Sequence, residues 1–266
     1  MVASAALENG LYSSVDEPTK SPVPYTLPGT STPLRNESAT APCENATLRV
    51  ALQYSCNNVF GKVAADLGQD KLRAMAEKFG FNDEKLDVPV RASKSIYPSV
   101  MDKPQTALSG IGQFEVTATP LQIAMVSAAL ANDGELAAPH MVSKVTDSEG
   151  GTLQDYADGD TKRIVSSSTA EQLRSAMVTV VEQGTGTNAR IDGAEVGGKT
   201  GTAENGVGNS NTPYAWFTSY AKDDSSGREV AVAVIVEDSG SAASEVSGNG
   251  LAAPIARKMM KAALQR

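Results

Sequence analysis

The chain has 266 residues, 41% of them hydrophobic, which is long for one domain but within its range and enough to build a sizeable core. A net charge of -8 and an isoelectric point near 4.8, with no basic run, exclude a nucleic-acid or anionic-membrane partner, since either requires a clustered cationic face. No apolar segment reaches membrane-spanning length and no charged-then-apolar leader opens the chain, so the sequence as written is expected to be soluble, with any anchor or signal lying upstream.

Residues 2–9, "VASAALEN", are small and apolar with Gly10 as a stop, the pattern of the last turns of a buried helix whose beginning is expected to lie before Met1. From Leu11 to Pro42 proline, serine and threonine dominate, and "PVPYTLPGTSTP" predicts extended and turn structure in a long surface excursion. "ATLRVALQYS" and "VFGKVAADLG" predict helices on either side of Ser55, and "DKLRAMAEKFGF" a third, closed by Gly80. Cys43 and Cys56 lie thirteen apart in a chain with one histidine, which argues against zinc. They are either two unpaired buried thiols or a disulfide. The disulfide is the expectation; it implies an oxidising compartment and stabilises by about 3 kcal/mol for a loop of this size.

Residues 117–131, "TATPLQIAMVSAALA", are apolar on every face, with Pro120 in the first turn, and predict a central buried helix. The next helix is expected to be capped by Ser168, with Glu171 closing a capping box, and to run to about Gln183 before the "GTGT" break. "YAWFTSYA" (214–221) and "EVAVAVIVED" (229–238), joined by the polar "KDDSSGR", form an antiparallel meander of three strands with the segment entering Lys199. "LAAPIARKMMKAAL" (251–264) reads as a helix whose apolar stripe covers one face of that sheet. There are no internal repeats.

"GGKTGTAEN" (197–205) places a cation, Lys199, two hydroxyls, Thr200 and Thr202, and a position without a side chain, Gly201, on one strand. That is an anion-receiving edge, on which a ligand backbone can lie close to Gly201 as an added strand would. "YSCNN" sets Ser55 two residues before Asn57 in a turn between helices, where a hydroxyl and a carboxamide can aim the same way. Each motif alone is commonplace, a solvated strand lysine and a helix cap; in this order, with "AWF" on the next strand, they are far more specific. His140 follows a proline, and no Gly-x-Ser-x-Gly elbow exists for it to serve, so its role is structural or at the surface. "GTGT" and "SGIGQF" do not continue as a phosphate loop and read as helix termination and backbone packing.

Together with "SCNN", "IGQFEVTATPLQIAMVSAALAN", "AAPHMV", "GGKTGTAE" and "YAWFTSYA", these motifs resemble the transpeptidase domain of penicillin-binding proteins, of the class B actinobacterial type, from Met1 to near Arg266. The resemblance implies an α+β fold of the serine β-lactamase and penicillin-binding transpeptidase kind: an antiparallel sheet covered by helices plus an all-helical part, with the site between them. It implies that residues 1–266 are a single domain truncated at its N-terminus, the preceding strands missing and "EVAVAVIVED" left as an unprotected edge. It also implies acylation of a serine by D-Ala-D-Ala peptidoglycan stem peptides or by β-lactam antibiotics, without cofactor or metal. The full-length protein would be anchored in the membrane, extracytoplasmic, and partnered by a membrane glycosyltransferase.

Carried over by position, Ser55 is the proton-relay hydroxyl, Asn57 a donor to the substrate amide, and Lys199 the electrostatic partner of Ser55. Thr200 and Thr202 bind the carboxylate beside Gly201, and the Thr202 N–H is one oxyanion donor. The other donor, the N–H of a serine in a Ser-x-x-Lys motif, has no counterpart. That spacing occurs only at Ser219 to Lys222, inside a strand pattern, where it reads as coincidence. The chain as written is therefore expected not to acylate. The alternatives are a noncatalytic module that holds a peptide or partner protein on the sheet edge, and a relative among the β-lactamases or β-lactam sensors; the long excursion before Ser55 and "ATPLQIA" favour the transpeptidase.

Overall fold

The computed structural model describes residues 1–84, 86, 88, 90–156, 161–206, 208 and 210–265. The small residues of α1 (Val2–Glu8) bury Ala3, Ser4, Ala5 and Ala6, and lacking bulk they let α1 lie against the later helices Asn57–Leu67, Gln69–Lys78 and Ser167–Gln183. The excursion that follows contains a two-residue hairpin, β1 (Tyr25–Thr26) with β2 (Pro33–Leu34). It is not only a surface feature. Val15 is fully buried, the Thr19 hydroxyl donates to the Ala46 carbonyl at 2.6 Å, and the Asn45 N–H donates to the Ser21 carbonyl at 2.7 Å. Thr19 and Ser21, both buried, tie the excursion to residues 45 and 46.

Helix α2 (Leu48–Tyr54) is capped by Thr47, whose hydroxyl accepts from the Val50 N–H at 3.2 Å. Helices α3 (Asn57–Leu67) and α4 (Gln69–Lys78) then turn an apolar face inward, with Val59, Val63, Leu72 and Met75 in one core with Phe79 and Phe81. Helix α5 (Lys103–Ser109) has the complete capping box that sequence reasoning placed elsewhere, Asp102 with Gln105. Helix α6 (Pro120–Ala131) is the central helix expected; only Pro120 of it is exposed, and buried Gln122 donates to the Phe79 carbonyl at 2.6 Å. Short strands β3 (Glu135–Ala137) and β6 (Thr161–Arg163) pair, and β4 (Lys144–Thr146) with β5 (Thr152–Asp155) form a second, exposed hairpin.

Helix α7 (Ser167–Gln183) ends at the residue expected but begins earlier than Ser168. Ser166 is its cap, accepting from the Thr169 N–H at 3.2 Å, while the Glu8 carboxylate receives both the N–H and the hydroxyl of Ser166. That second partner lies 158 residues away, so local pattern could not choose between two neighbouring serines.

The sheet is the meander anticipated: β7 (Ala194–Ala203), β8 (Tyr214–Asp223) and β9 (Glu229–Val236) pair antiparallel in that order. Alternation sorts β8 into two faces. Phe217, Ser219 and Ala221 are buried toward α8 (Ala253–Leu264), with Met260 and Ala256 against them. Thr218 and Tyr220 face the helical part, the Thr218 hydroxyl donating to the Ile123 carbonyl and the Tyr220 hydroxyl reaching the Arg174 carbonyl. The result is an α+β fold in which the sheet separates α8 from α6 and α7. Among the described residues β9 pairs on one side only, with β8.

Candidate active site

The site forms where α2 stops. Ser55 ends that helix in the left-handed conformation, φ 57° and ψ 53°, a sparsely populated region for a residue with a Cβ, and α3 starts two residues later. The excursion holds this turn from several directions. Cys56 is bonded to Cys43, their Cα atoms 5.6 Å apart and both side chains buried. The Asn57 carboxamide donates to the Arg35 carbonyl at 3.0 Å, the Asn58 N–H donates to Asn36 at 3.1 Å, and the Asn58 side chain donates to the Pro22 and Cys43 carbonyls. Backbone strain at Ser55 is thus held in place by a covalent bond and a ring of hydrogen bonds.

From the sheet, Lys199 Nζ donates to Ser55 Oγ at 3.0 Å and to the Thr200 carbonyl at 2.7 Å. Burial pushes the ammonium well down, to about 8, and the Glu37 carboxylate opposes that shift. Near neutrality Lys199 is still mostly charged, so it donates and Ser55 accepts. The hydroxyl proton of Ser55 therefore points away from Lys199. A hydroxyl so polarised can pass a proton to and from a third group.

Thr200, on the other side of β7, shares a 2.8 Å hydrogen bond with Thr185, the two hydroxyls facing each other. Thr202 is half-buried and opposite Ala215, and Gly201 is opposite Trp216. A Cβ at 201 would come within 3.2 Å of the Trp216 Cβ, so glycine keeps this strand close to its neighbour. The structure therefore brings the Lys199 ammonium to Ser55 and to the Thr200 carbonyl, leaves the Thr200 hydroxyl on the opposite face at Thr185, and sets Gly201 and Thr202 in line along the strand; the Asn57 side chain is engaged with the excursion at Arg35.

Ser219 lies elsewhere. It is fully buried on the face beneath α8, its hydroxyl 3.3 Å from the Met260 sulfur, while exposed Lys222 pairs with Glu229 at 2.8 Å. Three residues apart in a strand put two side chains on opposite faces, whereas in a helix they share one. His140 is exposed on the connection between β3 and β4. Among the described residues no three His, Cys, Asp or Glu side chains gather as a metal would need. A cavity of about 580 Å³ opens elsewhere, lined by Arg174, Glu195, Tyr220, Lys222 and Glu229 among others; none of Ser55, Lys199 and Thr200 lines it.

Sequence reasoning missed three contributors. Glu37 belongs to the excursion and acts on Lys199 through space. Thr185 lies in the "GTGT" stretch, whose glycines signalled the end of α7 and gave no hint of a hydroxyl partner on β7. Gln53, two residues before Ser55, donates to the Gln183 carbonyl at 3.0 Å.

The model of the penicillin binding protein transpeptidase domain matches residues 1–261. The peptidoglycan D,D-transpeptidase PbpA of Mycolicibacterium smegmatis is 37% identical over 244 residues, covering 88% of this chain and 49% of that protein. Among solved structures, the imipenem acyl-enzyme complex of penicillin-binding protein A from M. tuberculosis superposes with a TM-score of 0.83 at 31% identity, over 99% of this chain and 58% of that one. The D,D-transpeptidase domain of a peptidoglycan glycosyltransferase from Eggerthella lenta gives 0.79 at 30% identity, over 99% and 63%. The chain spans about half the length of the curated relatives it matches.

Proposed function

The chain belongs to the penicillin-binding protein transpeptidase family, and on that premise we propose that residues 1–266 act as one domain carrying the substrate-receiving half of a D,D-transpeptidase site for peptidoglycan stem peptides ending in D-Ala-D-Ala. The observation that carries this reading is the 3.0 Å contact of Lys199 Nζ with Ser55 Oγ, which joins the anion-receiving strand to a proton-handling hydroxyl across the boundary between sheet and helices. In it, Thr200 and Thr202 hold the C-terminal carboxylate and Lys199 supplies the positive field. Ser55 relays a proton, Asn57 meets the substrate amide, and the Thr202 N–H faces the developing oxyanion. β-Lactams are the second ligand class proposed for this site; the M. tuberculosis neighbour is an imipenem acyl-enzyme complex.

The attacking serine is the part that residues 1–266 do not supply: their one Ser-x-x-Lys spacing puts Ser219 in the core beneath α8 and Lys222 exposed on the opposite face of β8. We therefore propose that these residues alone bind but do not acylate. The disulfide between Cys43 and Cys56 supports an extracytoplasmic setting. Anchorage of a longer protein in the membrane is a proposal from the family, and among the described residues no helix is long and apolar enough to cross one. A membrane glycosyltransferase as partner is likewise a proposal from the family; the Eggerthella lenta neighbour is the transpeptidase domain of a peptidoglycan glycosyltransferase.

The test is calorimetric binding of a short peptide ending in D-Ala-D-Ala against the same peptide with a C-terminal amide. Charge-assisted hydrogen bonds to a carboxylate predict about 10- to 100-fold weaker binding of the amide. Equal binding of the two would favour the rival reading, a module that holds peptides or partner proteins by the strand edge without using the carboxylate.

A further inference from the structure

The end of α7 connects the two halves of the site. Gly184 lies directly on Gln53: a Cβ there would stand 2.5 Å from the Gln53 carbonyl oxygen, so only glycine permits the approach. The Thr185 N–H donates to that same carbonyl at 3.1 Å, and the Gln53 side chain returns a hydrogen bond to the Gln183 carbonyl at 3.0 Å. Thr185 then turns its hydroxyl onto Thr200 at 2.8 Å. Gln53 is in α2, two residues before Ser55; Thr200 follows Lys199 on β7. A continuous chain of hydrogen bonds thus runs from the helix that presents Ser55, through the α7 terminus, to the strand that presents Lys199.

We propose that Thr185 is a positioning residue: clamped to the Gln53 carbonyl, it orders the Thr200 hydroxyl for a ligand carboxylate and holds β7 in register with the Ser55 turn, so that Lys199, on the opposite face of the strand, stays against Ser55. The chemistry favours this over passive packing. A threonine hydroxyl on a strand edge rotates among three staggered positions, and only some of them leave its proton directed at an incoming anion. If Thr185 donates to Thr200, the Thr200 proton is free for the ligand and the Thr200 lone pair is occupied. A valine at 185 would fill the same space and lose that ordering. The inference rests on the reading that β7 receives a carboxylate.

Two readouts test it on this chain. The first is the dissociation constant for the D-Ala-D-Ala peptide; the second is the titration midpoint of Lys199, followed by NMR on the free protein. Thr185→Val is expected to weaken the peptide about three- to tenfold and to raise the Lys199 midpoint, since a loosened strand admits water to the ammonium. Thr185→Ser should restore both, and Gln53→Met, which keeps the Gln53 backbone carbonyl that Thr185 uses but removes the side-chain bond to the Gln183 carbonyl, should move both partway. Thermal melts identify any variant that fails to fold, and the serine and methionine variants carry the test in that case. If Thr185→Val leaves the peptide affinity and the Lys199 midpoint within error of the parent, the positioning role is wrong. If the parent itself does not bind the peptide, the receiving-strand reading fails, and the Lys199 midpoint alone decides whether Thr185 holds the two halves in register.

Discussion

Lys199 Nζ stands 3.0 Å from Ser55 Oγ although 144 residues separate them in sequence, and the contact crosses from the sheet to the helical part of the fold. Lys199 is half-buried there, and among the described residues its ammonium donates to the Ser55 hydroxyl and the Thr200 carbonyl. Burial of this cation costs stability through lost hydration, an effect that the Glu37 carboxylate only opposes.

Replacing Lys199 with methionine should therefore stabilise the fold while destroying carboxylate binding. Removing the desolvation cost is expected to raise the unfolding free energy at pH 7 by about 1–2 kcal/mol, measurable in urea. The D-Ala-D-Ala peptide should lose at least about tenfold in affinity in the same variant.

The pH dependence has a definite sign. The folded state lowers the Lys199 pKa to about 8 from 10.5, so between those values the unfolded chain binds more protons than the folded one. The contribution of this group to stability then rises with pH from about 8 to about 10.5, and below 8 the burial penalty is fully present. Comparing the parent with Lys199→Met by urea unfolding at pH 7 and pH 10 isolates it: the stability gap between them should narrow at the higher pH.

Reduction of the disulfide acts on the Ser55 turn directly, because Cys56 is the residue between Ser55 and Asn57. The Cys43→Ala, Cys56→Ala double variant is expected to lose about 3 kcal/mol. Peptide affinity should fall with it, as the strained Ser55 backbone loses its tether. Unchanged affinity in the folded variant would show that the hydrogen bonds from Asn57 and Asn58 suffice.

Ser219→Ala should change neither ligand binding nor, beyond about 0.5 kcal/mol, stability, since its hydroxyl makes only long contacts, 3.4 Å to the Val232 carbonyl and 3.3 Å to the Met260 sulfur. Phe217→Ala, two residues away on the same face of the strand, supplies the contrast: Phe217 is fully buried against α8 and its truncation should cost about 3–5 kcal/mol. Equilibrium unfolding of the two variants separates a coincidental serine from a core side chain.

Most of the fold was legible because its signals are local. Two apolar runs, 214–221 and 229–238, on either side of the polar "KDDSSGR" show strands, Pro120 and Gly80 mark a helix start and a helix end, and Lys199 with Thr200 to Thr202 forms a self-contained motif. What escaped depends on partners distant in sequence. Ser166 rather than Ser168 caps α7 because Glu8 reaches it, and the excursion is anchored because Thr19 and Ser21 find backbone groups of residues 45 and 46. Thr185 joins the site only because Gly184 lets α7 end against Gln53. A hydroxyl in a Gly-rich helix terminus carries no mark of what it will face.

The most direct measurement is fluorescent-penicillin labelling with intact-mass analysis, on this chain and on a form lengthened before Met1 by a segment bearing a Ser-x-x-Lys turn. The account predicts a covalent adduct on the lengthened form alone. An adduct on residues 1–266 would contradict it, and Ser55, 3.0 Å from a lysine whose pKa is lowered to about 8, would be the first residue to map.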